Sequence, residues 1–397
     1  MLRDLQRALG ALDPARIGVM LILVSPLVLP FARRLGPPAL VAGAGLALLA
    51  WRLRAPLAAG LRPRALSAFE LGCLVFFAWA FASLAWTPAP LRGFAQVSAC
   101  ALVFAAGVAF FRLAPASSQL FHKLFAGALA AAASISTLDL SIGSPLAQAV
   151  RGVSEAHRYN MVALSLLVMV CGLAPHAQAA RGWRLVALCA VAVFVLASDS
   201  ESAKLALAGA LAAYALAHLV PQRALALLVG LCFLTCVLAA PWLGAALEPL
   251  LGARGGAFLE AGHAGERLEI WLGSGAFALQ GLPWGHGAGA SLAYAQDLAS
   301  APRGMGWGHA HNAFIQVWLE LGGPGAAFAL LACLAIARTL ARVERGLFPG
   351  ACALVAAGAL ASLVSHGLWQ AWWWSALFIG ALALRLTGTK PLTFDRP

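Results

Sequence analysis

The sequence predicts an all-α polytopic membrane protein of about twelve transmembrane helices, with short connections except for one long outer loop that holds short amphipathic helices. Composition is the first ground: 62% of the 397 residues are hydrophobic and 11% are charged, against about 45–50% apolar in soluble domains. Patterning is the second, because the chain divides into apolar runs near the roughly 20 residues that cross a bilayer core. Charge placement is the third. The net charge of +12 is spread singly or in pairs between those runs, with no basic stripe and no recognition motif, which argues against nucleic acid as a partner and for membrane topology.

Spans are expected near 17–32, 37–51, 66–86, 92–111, 124–141, 159–175, 184–198, 203–219, 223–245, 313–337, 347–366 and 369–387. The lead into the first span, with Arg3, Asp4, Arg7, Asp13 and Arg16 and no Ala-x-Ala-like cleavage site, reads as retained and cytosolic. An even number of spans returns the C-terminus to that side. Eighteen of the 27 Lys and Arg then fall inside, as the positive-inside rule requires. The acids lean the other way, with Asp139, Glu155, Asp199, Glu201, Glu266 and Glu269 at the outer edge. The domain layout is one integral-membrane unit: 1–245 with the first nine helices, the outer loop 246–312, and 313–397 with the last three. The eight cysteines all lie in apolar runs without ligand spacing and read as small apolar fillers.

The loop over 246–312 is far longer than ordinary helix connections, and loops of that length tend to be functional. Within it, Arg267 and Trp271 are one helical turn apart, with Leu268 and Leu272 on an adjoining face. That spacing predicts a short amphipathic helix at the outer interface. Gly281, Gly285, Gly287 and Gly289 follow as a turn-rich break.

Polar groups concentrate where the loop meets the tenth span. His309, His311 and Asn312 stand at its mouth, and Gln316 and Glu320 lie four apart on one face of it. Polar groups persist in an apolar setting only where something compensates their desolvation, and a neutral His is suited to accept a proton near pH 7. The plainer reading is a pair of solvated histidines at a helix entrance. Arg267, Arg158 and Lys204 face the same side; each alone would serve as a lipid-headgroup anchor, and together they would suit a diphosphate. Asp199, Glu201 and Lys204 lie on a serine-rich tip that reads either as a capped hairpin or as a vestibule. Glu70 is an ionisable group in the third span with no partner evident in the sequence, and Trp372, Trp373 and Trp374 read as an interfacial aromatic belt. No metal-ligand spacing, Walker loop or dinucleotide fingerprint occurs, so neither metal nor cofactor is expected.

His311-Asn312, nine residues, Gly322, two residues, Gly325 resembles the signature of the bacterial O-antigen ligase and polymerase superfamily. Arg267-Leu-Glu-Ile-Trp271 with Gly285 and Gly287 is similar to that family's Arg-x-x-x-Trp and glycine block, and His157-Arg158-Tyr159-Asn160 to its polar entry into a mid-chain span. The resemblance runs from about 155 to 330. It implies a helical membrane glycosyltransferase of the C-type fold, in the bacterial inner membrane with both termini cytoplasmic and its active site in the periplasm. The implied donor is an undecaprenyl-diphosphate-linked glycan, and the acceptor is lipid A-core for a ligase or another carrier-linked glycan for a polymerase. By the same resemblance His311 activates the acceptor hydroxyl and Arg267 holds the diphosphate, in an inverting, metal-independent transfer. Arg158, Lys204, Asn312, Trp271, Glu201, His309 and Asn160 are the expected substrate-binding residues. Relatives carry a second Arg directly after a Ser at a mid-chain tip; here that tip reads Ser200-Glu201-Ser202-Ala203-Lys204, so Lys204 or Arg158 would supply the charge. Transfer to protein is a variant of this reading. A membrane transporter or lipid-linked flippase is the alternative of another class, disfavoured because the polar groups gather in one outer loop instead of in two corresponding halves.

Overall fold

The computed structural model describes residues 14–32, 36–54, 66–113, 119–151, 159–173, 181–252, 264–296 and 309–387. Among them the chain forms sixteen α-helices and no strand. They are α1 (Pro14–Val24), α2 (Gly36–Arg54), α3 (Ala68–Ala82), α4 (Pro90–Leu113), α5 (Gln119–Ser141), α6 (Pro145–Arg151), α7 (Asn160–Cys171) and α8 (Arg181–Ala197). There follow α9 (Glu201–Leu219), α10 (Gln222–Leu238), α11 (Leu243–Gly252), α12 (Ala264–Gln280), α13 (Ala290–Gln296), α14 (Ala313–Leu340), α15 (Phe348–Val364) and α16 (Ala371–Thr387).

Each of the twelve expected spans overlaps at least one described helix. By length and composition, however, five of the described helices suffice to cross a membrane: Ala68–Ala85, Pro90–Leu113, Phe121–Ser141, Glu201–Leu219 and Ala313–Leu340. The bent pair Gln222–Leu238 and Ala240–Pro249, with 63° between its parts, makes a sixth if it is one span. Others are apolar but short; α7 has 12 residues, about 18 Å at 1.5 Å per residue against a core of about 30 Å. Burial explains how α7 tolerates this. Val162 to Val170 are all buried, so it is apolar on every side and enclosed by α8, α9, α15 and α16.

Local sequence sets the helix starts. At α3, Ser67 and Glu70 form a capping box, each side chain bonding the other's backbone N–H, at 3.2 and 2.8 Å. Ser200 caps α9 by accepting from Ala203 N at 3.2 Å, and Asn312 caps α14 by accepting from Phe314 N and Ile315 N at 2.9 and 3.0 Å.

The ends expected on one side of the membrane meet in the fold. The starts of α9, α12 and α14 and the α15–α16 junction come together at one end, through Ser202–Ser365 and His311–Ser365 bonds and the proximity of Arg267 to Glu201. At the other end Gln222 donates to the carbonyls of Leu340 and Val343 at 2.9 and 2.8 Å. Glu70, left without a partner by the sequence, pairs there with Arg112 of α4, with Nε to Oε1 at 2.6 Å.

Two expectations are corrected. The helix expected over 266–272 runs the full length of α12, and Ile270 and Trp271 are buried with Ala240, Ala310 and Ile315, so it packs against α14 and is not merely laid on the interface. The three consecutive tryptophans are not a lipid-facing belt. Trp373 is 1% exposed and its indole donates to Ser362 Oγ at 3.0 Å, while Trp372 is also buried. At a helix start three consecutive positions point three ways, and two of these point inward. All eight cysteines are free.

Candidate active site

The framework of the site is a break in α14. Gly322 has φ +63, inside the left-handed region, and Pro324 has no N–H to continue the ladder. Freed carbonyls need other donors. Leu319 O accepts from His286 N at 2.8 Å, Glu320 O from Gly287 N at 2.8 Å, and Leu321 O from the Trp79 indole at 2.9 Å. In return Gly323 N donates to Pro283 O at 2.8 Å. A Cβ on Gly322 would lie 2.2 Å from Pro283 O, so the glycine is required by both conformation and space. The glycine-rich turn over 281–289 is thus the complement of the helix break. This is why the two motifs occur together.

Glu320 is 0% exposed and accepts from four neutral donors. Gly289 N and the Trp369 indole reach Oε2 at 2.6 and 2.5 Å; Gln316 Nε2 reaches Oε1 at 2.8 Å, joined by the Ser291 hydroxyl. Gln316 also accepts from Leu368 N at 2.7 Å. The face shared by Gln316 and Glu320 therefore ties the glycine turn, α13, α14 and the α15–α16 junction together. It is a scaffold.

One turn nearer the mouth, His311 has φ +48, a conformation uncommon for a residue with a side chain. Its Nδ1 lies 3.1 Å from Ser365 O. A carbonyl only accepts, so Nδ1 carries the proton, and Nε2 is left as the proton-accepting nitrogen. Burial lowers the affinity of His311 for a proton; the Ser365 bond opposes this, Arg267 adds to it and Glu266 opposes it. The ring is therefore neutral at pH 7. His309 lies alongside, ring centroids 4.1 Å apart, its Nδ1 accepting from His311 N at 3.1 Å. Burial and the neighbouring His311 push His309 down to about 3.

Arg267, on the first turns of α12, is half-buried. Burial lowers its guanidinium from its usual range, while Glu201 and Glu266 oppose the shift. Lys204 pairs with Glu201 at 2.9 Å, so Lys204 and Arg267 flank one carboxylate. The serine tip reaches the histidine as well, since Ser202 donates to Ser365 Oγ at 3.2 Å. The structure thus brings together His309, His311, Arg267, Glu201 and Lys204. Asn312 contributes the cap of α14. Trp271 packs the start of α14, its indole N–H without a partner among the described residues. Asn160 opens α7 and makes no hydrogen bond to the histidines among the described residues. Arg158 and His157 lie outside the described residues.

Sequence reasoning missed Ser365, His366 and Gln370. His366 is 5% exposed, its ring edge-on to Trp372 at 4.8 Å and 4.7 Å from Trp373. The Gln370 amide lies 3.3 Å from His309 Nε2. Nothing in local periodicity marks this junction beyond a His and a Gln between two apolar runs, and that was the available signal.

Residues 185–330 match the family model described as O-antigen ligase. Over that stretch the chain is similar to the O-antigen ligase family. That segment runs from α8 into the second half of α14 and contains Arg267, the glycine turn, His311 and Gly322. The resemblance read from His311-Asn312 to Gly325 is therefore shown over this stretch, and it supports a ligase- or polymerase-type membrane glycosyltransferase. No match is found among curated proteins. Ser365, His366 and Gln370 stand beyond the end of the matched segment, so the candidate site is completed by a part of the chain that the match does not cover.

Proposed function

We propose that the protein is an O-antigen ligase-type glycosyltransferase that moves a glycan from an undecaprenyl-diphosphate carrier to a lipid A-core acceptor at the periplasmic face of the inner membrane. The observation that carries this reading is His311, within the matched segment, held with Nδ1 on a carbonyl and Nε2 unprotonated beside Arg267. In this reading Nε2 takes the proton of the acceptor hydroxyl as its oxygen bonds to the anomeric carbon. The bond from that carbon to the carrier oxygen breaks on the opposite face, with inversion, and the electron pair leaves on the diphosphate. Arg267 supplies the positive charge that stabilises the leaving group, with Lys204 as the second cation. A lysine there has no fork geometry and contributes less than a second Arg would.

A lipid-linked donor also suits the interior. A cavity of about 310 Å³, almost wholly apolar, runs along α14 from Ala313 and Phe314 beside the cap to Leu340 at the other end. Phe76, Phe104 and Trp369 are among its lining residues, and such a cavity accommodates a long apolar chain whose head lies at the histidines.

The test is a transfer assay with purified protein, carrier-linked glycan and either lipid A-core or a second carrier-linked unit. The expected product is glycan on lipid A-core. Product on the second carrier unit would make the protein a polymerase, and no product with either acceptor, together with substrate-coupled transport in liposomes, would replace the reading with a transporter.

A further inference from the structure

The α15–α16 junction holds a polar group that the proposed chemistry does not use. His366 Nε2 is buried and has no hydrogen-bond partner among the described residues. A buried polar atom left unpaired is costly, so such atoms are rare unless something arrives to pair with them. His366 is not loosely placed. Trp372 and Trp373 hold the ring, and its backbone N–H donates to Ala361 O at 3.2 Å. The next residue is pressed onto the site: a Cβ on Gly367 would lie 2.8 Å from Gln316 Oε1 and 3.1 Å from the His309 ring. The Gln370 amide beside it is also half-used. Its Nε2 lies 3.3 Å from His309 Nε2, and its Oε1 has no partner among the described residues.

The surroundings of His366 locate what it addresses. It lies close enough to His309, His311 and Arg267 for all three to disfavour its protonation, with burial the largest cause and the Gln370 side chain opposing; its imidazole is pushed down to about 3 and stays neutral. If His311 faces the acceptor oxygen and Arg267 the diphosphate, the sugar being transferred lies between them. A neutral ring bordering both is beside that sugar. We propose that His366, supported by Gln370, hydrogen-bonds through Nε2 to a hydroxyl or acetamido group of the transferred sugar and so contributes to donor specificity. The inference rests on the glycosyltransferase reading above. It assigns a substrate contact to a segment beyond the O-antigen ligase match.

The experiment compares wild type, His366→Phe and His366→Gln with native donor and a series of donors deoxygenated or deacetylated one position at a time on the first sugar. Phe preserves bulk and removes the polar atom; Gln places an amide near the position of Nε2. Wild type is expected to lose about tenfold in kcat/KM for one analogue, as expected for one neutral hydrogen bond of about 1.4 kcal/mol. His366→Phe should lose about as much with native donor and nothing further with that analogue, while His366→Gln restores discrimination at that position. Equal sensitivity of wild type and His366→Phe to every analogue would overturn the proposal, as would wild-type kcat/KM in His366→Phe. If His366→Phe fails to fold, His366→Leu, smaller and equally without a polar atom, takes its place and is read by the same outcomes. Absence of transfer by wild type itself would instead contradict the underlying reading.

Discussion

Two buried polar clusters lie within three turns of each other on α14, and they are built on opposite principles. Around Glu320 the carboxylate and its neighbours are matched, with four donors on two oxygens and each donor from a different segment. Around His311 the matching is incomplete. His366 Nε2, Asn312 Nδ2, Trp271 Nε1 and one atom of the Gln370 amide have no partner among the described residues. A closed network specifies a fold, whereas an open one in a buried place is shaped for groups that arrive from outside. Chemistry is therefore expected not at the fully satisfied carboxylate but at the unsatisfied junction beside it.

The largest effect that would sharpen the comparison is loss of activity without loss of fold. His311→Ala is expected to lower the transfer rate by about 10³-fold, within the range of a positioned general base, with an unchanged thermal unfolding curve in detergent. The opposite behaviour is expected at the other cluster. Glu320→Ala orphans four donors and should cost about 3 kcal/mol of stability, seen as a lowered unfolding midpoint, while the protein that remains folded retains transfer. Full stability in that variant would break the contrast.

The next effect depends on pH. His309 and His366 have folded-state affinities near 3, below the 6.5 of an unperturbed histidine. Between those values the unfolded chain binds protons that the folded one does not, so stability falls as pH drops from about 6.5 toward 3, by about 1.4 kcal/mol per unit for each histidine. Unfolding midpoints measured from pH 7 to 4 should show that slope, and His366→Phe should make it shallower. The smallest effect is at Lys204. Its pair with Glu201 is partly exposed, and Lys204→Ala should leave the midpoint unchanged within about 1 kcal/mol, with at most a modest rise in KM for the donor.

Much of the matched half of this site was legible from spacing. Gly322 and Gly325 in register with His311-Asn312, and Arg267 one turn from Trp271, are local patterns, and local patterns survive in a sequence. The other half was not legible because it is made by tertiary contact. The carbonyl that orients His311 comes from Ser365, 54 residues away, and a backbone atom has no residue-type signature. The donors to Glu320 include a glycine N–H and a tryptophan indole for the same reason. Trp372 and Trp373 were read as lipid-facing because composition tells that tryptophans favour an interface and not which way a helix is turned. The helix positions were predicted well, but the length available to cross a bilayer was not, since α7 is short and enclosed by protein.

The most direct test of the contrast is the single-turnover rate of glycan transfer per folded molecule in His311→Ala and Glu320→Gln, measured side by side with wild type. Loss of about three orders of magnitude is expected in the first and a rate within a few fold of wild type in the second. A Glu320→Gln rate as low as that of His311→Ala, in protein shown to be folded, would contradict the contrast.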